Sequence, residues 1–410
     1  MDLQTSLDKS GVTSAGSPAP VVSATGVYLD YNATTPLDPE IYKLMEPYFK
    51  EFFGNPASAS HKWGWTAENA VQKSRMQVAG FIGAKSSEVA FTSGATEANN
   101  WVIFGLISKL REANPNEPIH MITSNVEHSS IMKAMAAAQK IYNVDVDFLP
   151  VNSYGQVELE QIAHAIKPHT KLISLIWVNN EVGSINPIPE IAKLAKEKQI
   201  LLHTDGTQAV GKIPVHATDM GIDFLSFSAH KLYGPKGVGA LYIRGAHPKV
   251  EINPLVWGGG QERGLRSGTL NVPAIVGMGA ACDICQKTMA TETAHLANMR
   301  DYLWSELKAV FADAISLNGH PTDRSPMSLN ITLRSYPTEM LMPRLQKLGV
   351  STGSACASSA GHGSHVLRAI GLTNEQAGCS LRLSVGRWTT QNELDQAVSL
   401  LKYAAESINL

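Results

Sequence analysis

Two nucleophiles in this 410-residue chain are candidates for covalent chemistry. Lys231 follows the apolar run Phe224-Leu-Ser-Phe-Ser-Ala-His and precedes a Gly/Pro turn. An amine at the mouth of a buried strand loses hydration, which lowers its pKa toward the neutral form that a Schiff-base lysine requires. The plainer alternative is a solvated loop lysine. Cys356 lies in Val350-Ser-Thr-Gly-Ser-Ala-Cys-Ala-Ser-Ser-Ala-Gly-His-Gly-Ser, a run too small to pack a core. Its thiol is expected to be exposed, and it is either a nucleophile or an inert loop cysteine.

Other segments supply what such a lysine would need. Ile200-Leu-Leu-His-Thr-Asp-Gly-Thr-Gln ends an apolar strand in Asp205, with Gln208 about one turn on. A carboxylate there suits the protonated pyridine nitrogen of pyridoxal phosphate, or it caps the next helix. In Phe91-Thr-Ser-Gly-Ala-Thr-Glu a strand gives way to a helix start whose free N–H groups suit a phosphate, with the Thr96 hydroxyl beside them. His128 follows a strand, where its ring can stack on a flat cofactor or serve as a structural hydrogen-bonder. Asn180 lies just past another strand end, within reach of a ring oxygen or as a turn former. Arg382, in Ser380-Leu-Arg-Leu-Ser, is either a bidentate clamp for a substrate carboxylate or a surface strand arginine.

Three other motifs are set aside. Gly83-Ala-Lys-Ser lacks the upstream glycine and spacing of a nucleotide P-loop. Gly277-Met-Gly-Ala-Ala-Cys sits inside a helical pattern, where a dinucleotide fingerprint does not occur. Cys282 and Cys285 form a C-x-x-C pair in the same apolar helix, with no second pair to complete a zinc site, and read as core residues. No metal site is expected.

The elements that must position these residues follow from periodicity. Glu88–Thr92, His120–Ser124, Val146–Leu149, Lys171–Val178, Gln199–Thr204, Phe224–Ser226 and Gly239–Ile243 read as strands. Helical stretches such as Glu97–Arg111, Ser129–Ile141 and Ile188–Lys198 lie between several of them. This alternation predicts an α/β fold, a mostly parallel sheet flanked by helices, with ligands at the carboxyl ends of the strands. After about Pro273 a long helix through Leu307, a strand Ser328–Leu333, a helix Glu339–Leu348, a strand Ser380–Val385 and a final helix from Asn392 predict a smaller α+β domain. The expected division is a disordered tail 1–27, a large domain 39–289, and a small domain formed by 28–38 and 290–410.

An apolar fraction of 44%, a charged fraction of 17% and a net charge of −2 are ordinary for a globular enzyme. With no run of like charges and no apolar stretch of about 18 residues, neither nucleic acid nor membrane is implied as a partner. The Ser/Gly/Ala/Pro-rich start has one basic residue, Lys9, which fits neither a secretory nor a mitochondrial leader. Four cysteines in so long a chain point to a reducing, cytoplasmic setting.

Taken together these motifs resemble the cysteine desulfurases of the class V pyridoxal-phosphate aminotransferase group, from Tyr28-Leu-Asp-Tyr-Asn-Ala-Thr-Thr-Pro to the last helix. The matching segments include Gly54-Asn-Pro-Ala-Ser, Ser93-Gly-Ala-Thr-Glu, Val126-Glu-His, Asn179-Asn-Glu-Val-Gly, Ser228-Ala-His-Lys, Arg266-Ser-Gly-Thr and Gly353-Ser-Ala-Cys. The resemblance implies a fold-type I enzyme in which Lys231 carries the cofactor and Asp205 pairs with the pyridine nitrogen. It implies that Gln208 and Asn180 approach the ring oxygen, and that His128 stacks on the ring and shuttles protons. Ala95, Thr96, Ser228 and His230 would hold the phosphate, joined by Thr269 from the other subunit of a homodimer. Arg382, with Asn180 near it, would bind the carboxylate of L-cysteine. Cys356, on a long catalytic loop, would take sulfur as a persulfide, release alanine and pass the sulfur to an acceptor protein.

Two departures matter. Trp257 stands before Gly258-Gly-Gly-Gln where family members often carry His, and the chain stops soon after its last helix, where housekeeping members often extend. The acceptor is therefore open among an iron–sulfur scaffold, a tRNA-thiolation partner and a DNA-phosphorothioation partner. Rival readings are another reaction on the same cofactor, transamination or selenocysteine lysis, and an inert scaffold. Cys356 separates the first, and the complete set of Lys231, Asp205, His128 and Cys356 argues against the second.

Overall fold

The computed structural model describes residues 26–246, 249–353 and 364–408. Cys356 and most of the expected tail lie outside the described residues. Val27, assigned to that tail from sequence, instead pairs with Leu348 in a short parallel ladder, Val27–Tyr28 with Leu348–Gly349.

Seven strands form the main sheet, in the order Val89–Thr92, Gly239–Ile243, Phe224–Ser228, Leu201–Asp205, Thr170–Ile176, His120–Ser124 and Asp145–Leu149. All pairings from Phe224–Ser228 to Asp145–Leu149 are parallel, and Gly239–Ile243 runs antiparallel to both its neighbours. The inner strands are buried along nearly their whole length, which is why they read as continuous apolar runs. Helices Ala95–Ala113 and Ser129–Tyr142 contribute to one apolar cluster against this sheet, and helices Lys62–Phe81 and Ile188–Glu197 to another. A second sheet, Ser380–Ser384, Ser328–Leu333 and Ile315–Asn318, is antiparallel and has its own core.

The helix Val272–Phe311 runs through both cores. Asn271 caps it, its side chain accepting from the Ala274 N–H at 3.2 Å, and Pro273 fits the first turn. Ile275, Met278, Cys282 and Cys285 belong to the large core, whereas Leu296, Leu303, Leu307 and Phe311 belong to the small one. The boundary expected at 289/290 falls inside this helix. Gly279 serves packing, because a Cβ there would lie 2.7 Å from the Ser74 backbone of helix Lys62–Phe81. Burial pushes the Cys285 thiol up to about 11 and raises that of Cys282 as well, so the C-x-x-C pair is inert core.

A buried ionic joint also ties the cores. Arg387 donates to Asp38 Oδ2 at 2.7 Å and to Glu292 Oε2 at 2.9 Å, its guanidinium 4.1 Å from the centre of the Tyr233 ring. The helix expected over Glu339–Leu348 is shorter than predicted. It spans Thr338–Leu341, passes into a single 3-10 turn at Met342–Arg344, and yields to the strand Leu348–Gly349. Pro343 has no N–H to continue the ladder, and pairing with Val27–Tyr28 claims the following residues. No helix among the described residues is long and apolar enough to cross a membrane.

Candidate active site

The carboxyl ends of the parallel strands open onto a cavity of about 520 Å³. Ala95, Thr96, His128, Asn180, Asp205, Gln208, Ser228, His230, Lys231 and Arg382 all line it. Most of them sit at or just past a strand end. Asp205 ends the strand Leu201–Asp205, and Ser228 ends Phe224–Ser228, which turns at once into the 3-10 segment Ala229–Lys231. His128 is the N-cap of helix Ser129–Tyr142. Thr269 is exposed and does not line the cavity of its own chain. Trp257 is 75% exposed and likewise lies off the lining.

Helix Ala95–Ala113 begins at Gly94, which has no side chain to cap the first turn. Glycine is required here: φ is +156°, and the facing Gly239 approaches so closely that a Cβ on it would lie 2.6 Å from Gly94 Cα. Ser228 Oγ accepts from the Ala95 N–H at 2.7 Å, and Ser93, Gly94 and Thr96 stay on the cavity wall. Behind this turn Glu97 accepts both arms of Arg266, at 2.8 and 3.1 Å, so two segments singled out in the sequence meet as an ion pair. Burial works against the Glu97 charge, but hydrogen bonds from Arg266 and Ser93 outweigh it and lower its pKa.

Lys231 Nζ donates to the carbonyls of Asn32 and Ala33, the latter at 2.7 Å. The Asn32 carbonyl also accepts from Gln208 Nε2 at 2.9 Å. Asp205 is buried, its Oδ2 accepting from Asn99 Nδ2 at 2.8 Å and its Oδ1 from the Thr207 N–H at 3.0 Å. Burial lowers the pKa of His128, a shift opposed by Asp205 and reinforced by Lys231. Burial, with Lys231 and Lys236 nearby, pushes His230 down to about 4, so it is neutral at pH 7, 3.1 Å from Thr34 Oγ1.

Arg382 is only 2% exposed, which removes the surface-arginine alternative. It donates to Asn180 O at 3.0 Å and to Asp30 Oδ1 at 2.7 Å, and its backbone bridges to Ser351. Its Nε, and the Thr207 hydroxyl, are buried on cavity-lining residues with no protein hydrogen-bond partner among the described residues. A metal-type cluster, His120, Asp145 and Asp147, lies at the opposite, amino end of the strands, where Lys167 already bridges both carboxylates.

Sequence reasoning missed Asn32, Asn99, Asp30 and Thr207. Asn99 carried a signal, four residues after Ala95 and therefore on the same helix face. Asn32 stood in a quoted motif without a role. The donor set fits pyridoxal 5'-phosphate: an amine for a Schiff base, a buried carboxylate for the pyridine nitrogen, and a glycine-led helix start with Ser228 and His230 for a phosphate. Unpartnered polar atoms in the wall fit a polar ligand.

The family model for aminotransferase class-V matches residues 27–397. The chain is 43% identical over 375 residues to a cysteine desulfurase IscS of Rickettsia prowazekii (strain Madrid E), covering 92% of this chain and 90% of that one. Among solved structures it resembles a NifS-like protein with a TM-score of 0.84 and 34% identity, over 94% of this chain and 99% of the other. It also resembles SspA in complex with cysteine, with a TM-score of 0.77 and 34% identity, over 89% of this chain and 100% of that one. With its strand-end lysine, carboxylate and helix-start cradle on one cavity, this chain belongs to the class-V aminotransferase family, among the cysteine desulfurases.

Proposed function

We propose that this enzyme converts L-cysteine to L-alanine, passing the sulfur to Cys356 as a persulfide and then to an acceptor protein. The observation that carries the reading is the meeting of Lys231, Asp205 and Arg382 on one cavity. Similarity to a protein solved with cysteine bound supports the choice of substrate.

When bound, pyridoxal phosphate supplies a carbonyl for amine condensation and an electron-withdrawing ring that stabilises negative charge next to the amino-acid nitrogen. Lys231 would hold it through Nζ and would move the proton of the substrate Cα. Asp205 would favour a positive charge on its ring nitrogen, and His128 would hold the ring. Asn180 and Gln208 would hold its ring oxygen, and Ala95, Thr96, Ser228 and His230 its phosphate. Arg382 would receive the substrate carboxylate and orient the amino acid. The Cys356 thiolate attacks the substrate sulfur. The S–S bond forms as Cβ–S breaks, the electron pair leaves with carbon, and protonation gives alanine.

The enzyme acts as a homodimer in this reading, with Thr269 completing the partner's phosphate site. Exposed aromatics Phe49, Phe53, Trp63 and Trp65 support such an interface. The unpaired, buried described cysteines support a cytoplasmic setting, and iron–sulfur assembly, tRNA thiolation and DNA phosphorothioation remain the candidate destinations. The test is a sulfide and alanine assay with L-cysteine and a reducing thiol. Cys356→Ala is expected to abolish sulfide release while the cofactor's visible absorbance survives; undiminished turnover in that variant sinks the reading.

A further inference from the structure

Asp205 and His128 are tied together behind the cavity wall by two side chains with no part in the scheme above. Asn99 is fully buried one turn into helix Ala95–Ala113. Its Nδ2 donates to Asp205 Oδ2 at 2.8 Å and to Ser130 Oγ at 2.9 Å. Ser130 Oγ lies 2.8 Å from His128 Nδ1, and the Ser130 backbone N–H donates to the same nitrogen at 3.2 Å.

The roles in this chain are fixed by which groups can only donate. An ionised carboxylate only accepts, so the Asn99 group facing Asp205 is its NH2. Its second hydrogen goes to Ser130 Oγ, which keeps its own hydrogen for His128. A backbone N–H only donates, so His128 Nδ1 carries a lone pair and the neutral ring bears its proton on Nε2.

We propose that Asn99 is a positioning residue that clamps the Asp205 carboxylate with one amide hydrogen and, through Ser130, holds His128 as the Nε2–H tautomer with the other. His128 then turns a donor toward the cavity instead of a lone pair, and accepting the substrate proton falls to Lys231. The proposal rests on the reading of Asp205 and His128 as groups that face the cofactor.

Long-range ¹H–¹⁵N spectra of the full chain with ¹⁵N-labelled histidine, with and without pyridoxal phosphate, test it directly. His128 is assigned by the signal lost in His128→Gln. A neutral ring without a proton on Nδ1 is expected, and a protonated Nδ1 or an even mixture overturns the proposal. In Asn99→Leu, pyridoxal-phosphate affinity measured by reconstitution should fall roughly ten- to a hundredfold, the loss of one hydrogen bond to a buried charge. Ser130→Ala should leave that affinity within about threefold, because the Asn99–Asp205 bond survives, while raising the Nδ1–H population of His128 only in part, because the backbone N–H of residue 130 still donates to Nδ1. Unchanged affinity in folded Asn99→Leu overturns the clamp, and the spectra of the unsubstituted chain decide the tautomer even if that variant does not fold. Neither readout needs turnover, so a protein inactive on cysteine would defeat the functional reading and still leave this one decidable.

Discussion

Replacing Arg387 with Leu tests the buried ionic joint. The guanidinium is 5% exposed at its side chain and neutralises Asp38 and Glu292, which are 0% and 6% exposed. Its removal strands two carboxylates in a medium that cannot solvate them and deletes the stack on Tyr233. Breaking a buried pair costs about 3–5 kcal/mol, and a desolvated cation–π contact about 2 kcal/mol, so a loss of roughly 5–7 kcal/mol is expected. With about 2.1 cal/mol/K of unfolding entropy per residue, the chain carries roughly 0.9 kcal/mol/K, and the melting temperature should drop by about 6–8 °C. Calorimetry at pH 7.5 gives the comparison. Adding Asp38→Asn and Glu292→Gln removes the stranded charge. The new amide oxygen can still cap Glu40 N, as Asp38 does at 2.9 Å, so most of the loss should return. Stranded carboxylates have raised folded pKa values, so the deficit of the single variant should shrink as pH falls toward about 4, where the unfolded chain is protonated too. A single variant melting within about 1 °C of the parent, or a triple variant no better than the single, refutes the reasoning.

Three further outcomes are expected. Burial pushes the Glu127 carboxyl up from 4.5 to about 8. The folded state therefore holds a proton that the unfolded state has lost, and this contribution is present below about 4.5 and disappears as pH rises through about 8. Glu127→Gln should flatten the fall in urea midpoint between pH 5 and 8, and parallel curves for parent and variant would contradict this. Arg382→Lys keeps a charge but loses the fork, so KM for L-cysteine should rise roughly ten- to a hundredfold with kcat changed far less, and an unchanged KM removes Arg382 from substrate binding. Lys231→Ala should bind pyridoxal phosphate only reversibly, so that dialysis strips it after borohydride treatment; label retained covalently would point to another lysine.

Much of the main sheet was legible because its strands are short and buried on both faces, so each appears as an apolar run ending in a polar residue. Asp205 and Ser228 were found this way. The strand Gly239–Ile243 was found too, but not its direction. The connection 229–238 is too short for a crossover helix, which in hindsight dictates an antiparallel return. The strand Ile315–Asn318 went unseen because only its two end residues are buried. Asn99 was missed for a different reason: its partner Asp205 is 106 positions away, and a buried asparagine on a helix resembles any solvent-facing one. The joint of Arg387 with Asp38 spans 349 positions, and no local pattern reports a charge pair of that separation.

The helix Val272–Phe311, at 1.5 Å per residue, is a rod roughly 60 Å long shared by both bodies of the protein. Swinging one body away from the other requires bending that rod or pulling Leu296, Leu303 and Leu307 out of their packing. Wide clam-shell opening is therefore disfavoured, and exchange between the cavity and solvent falls to local rearrangement at its rim.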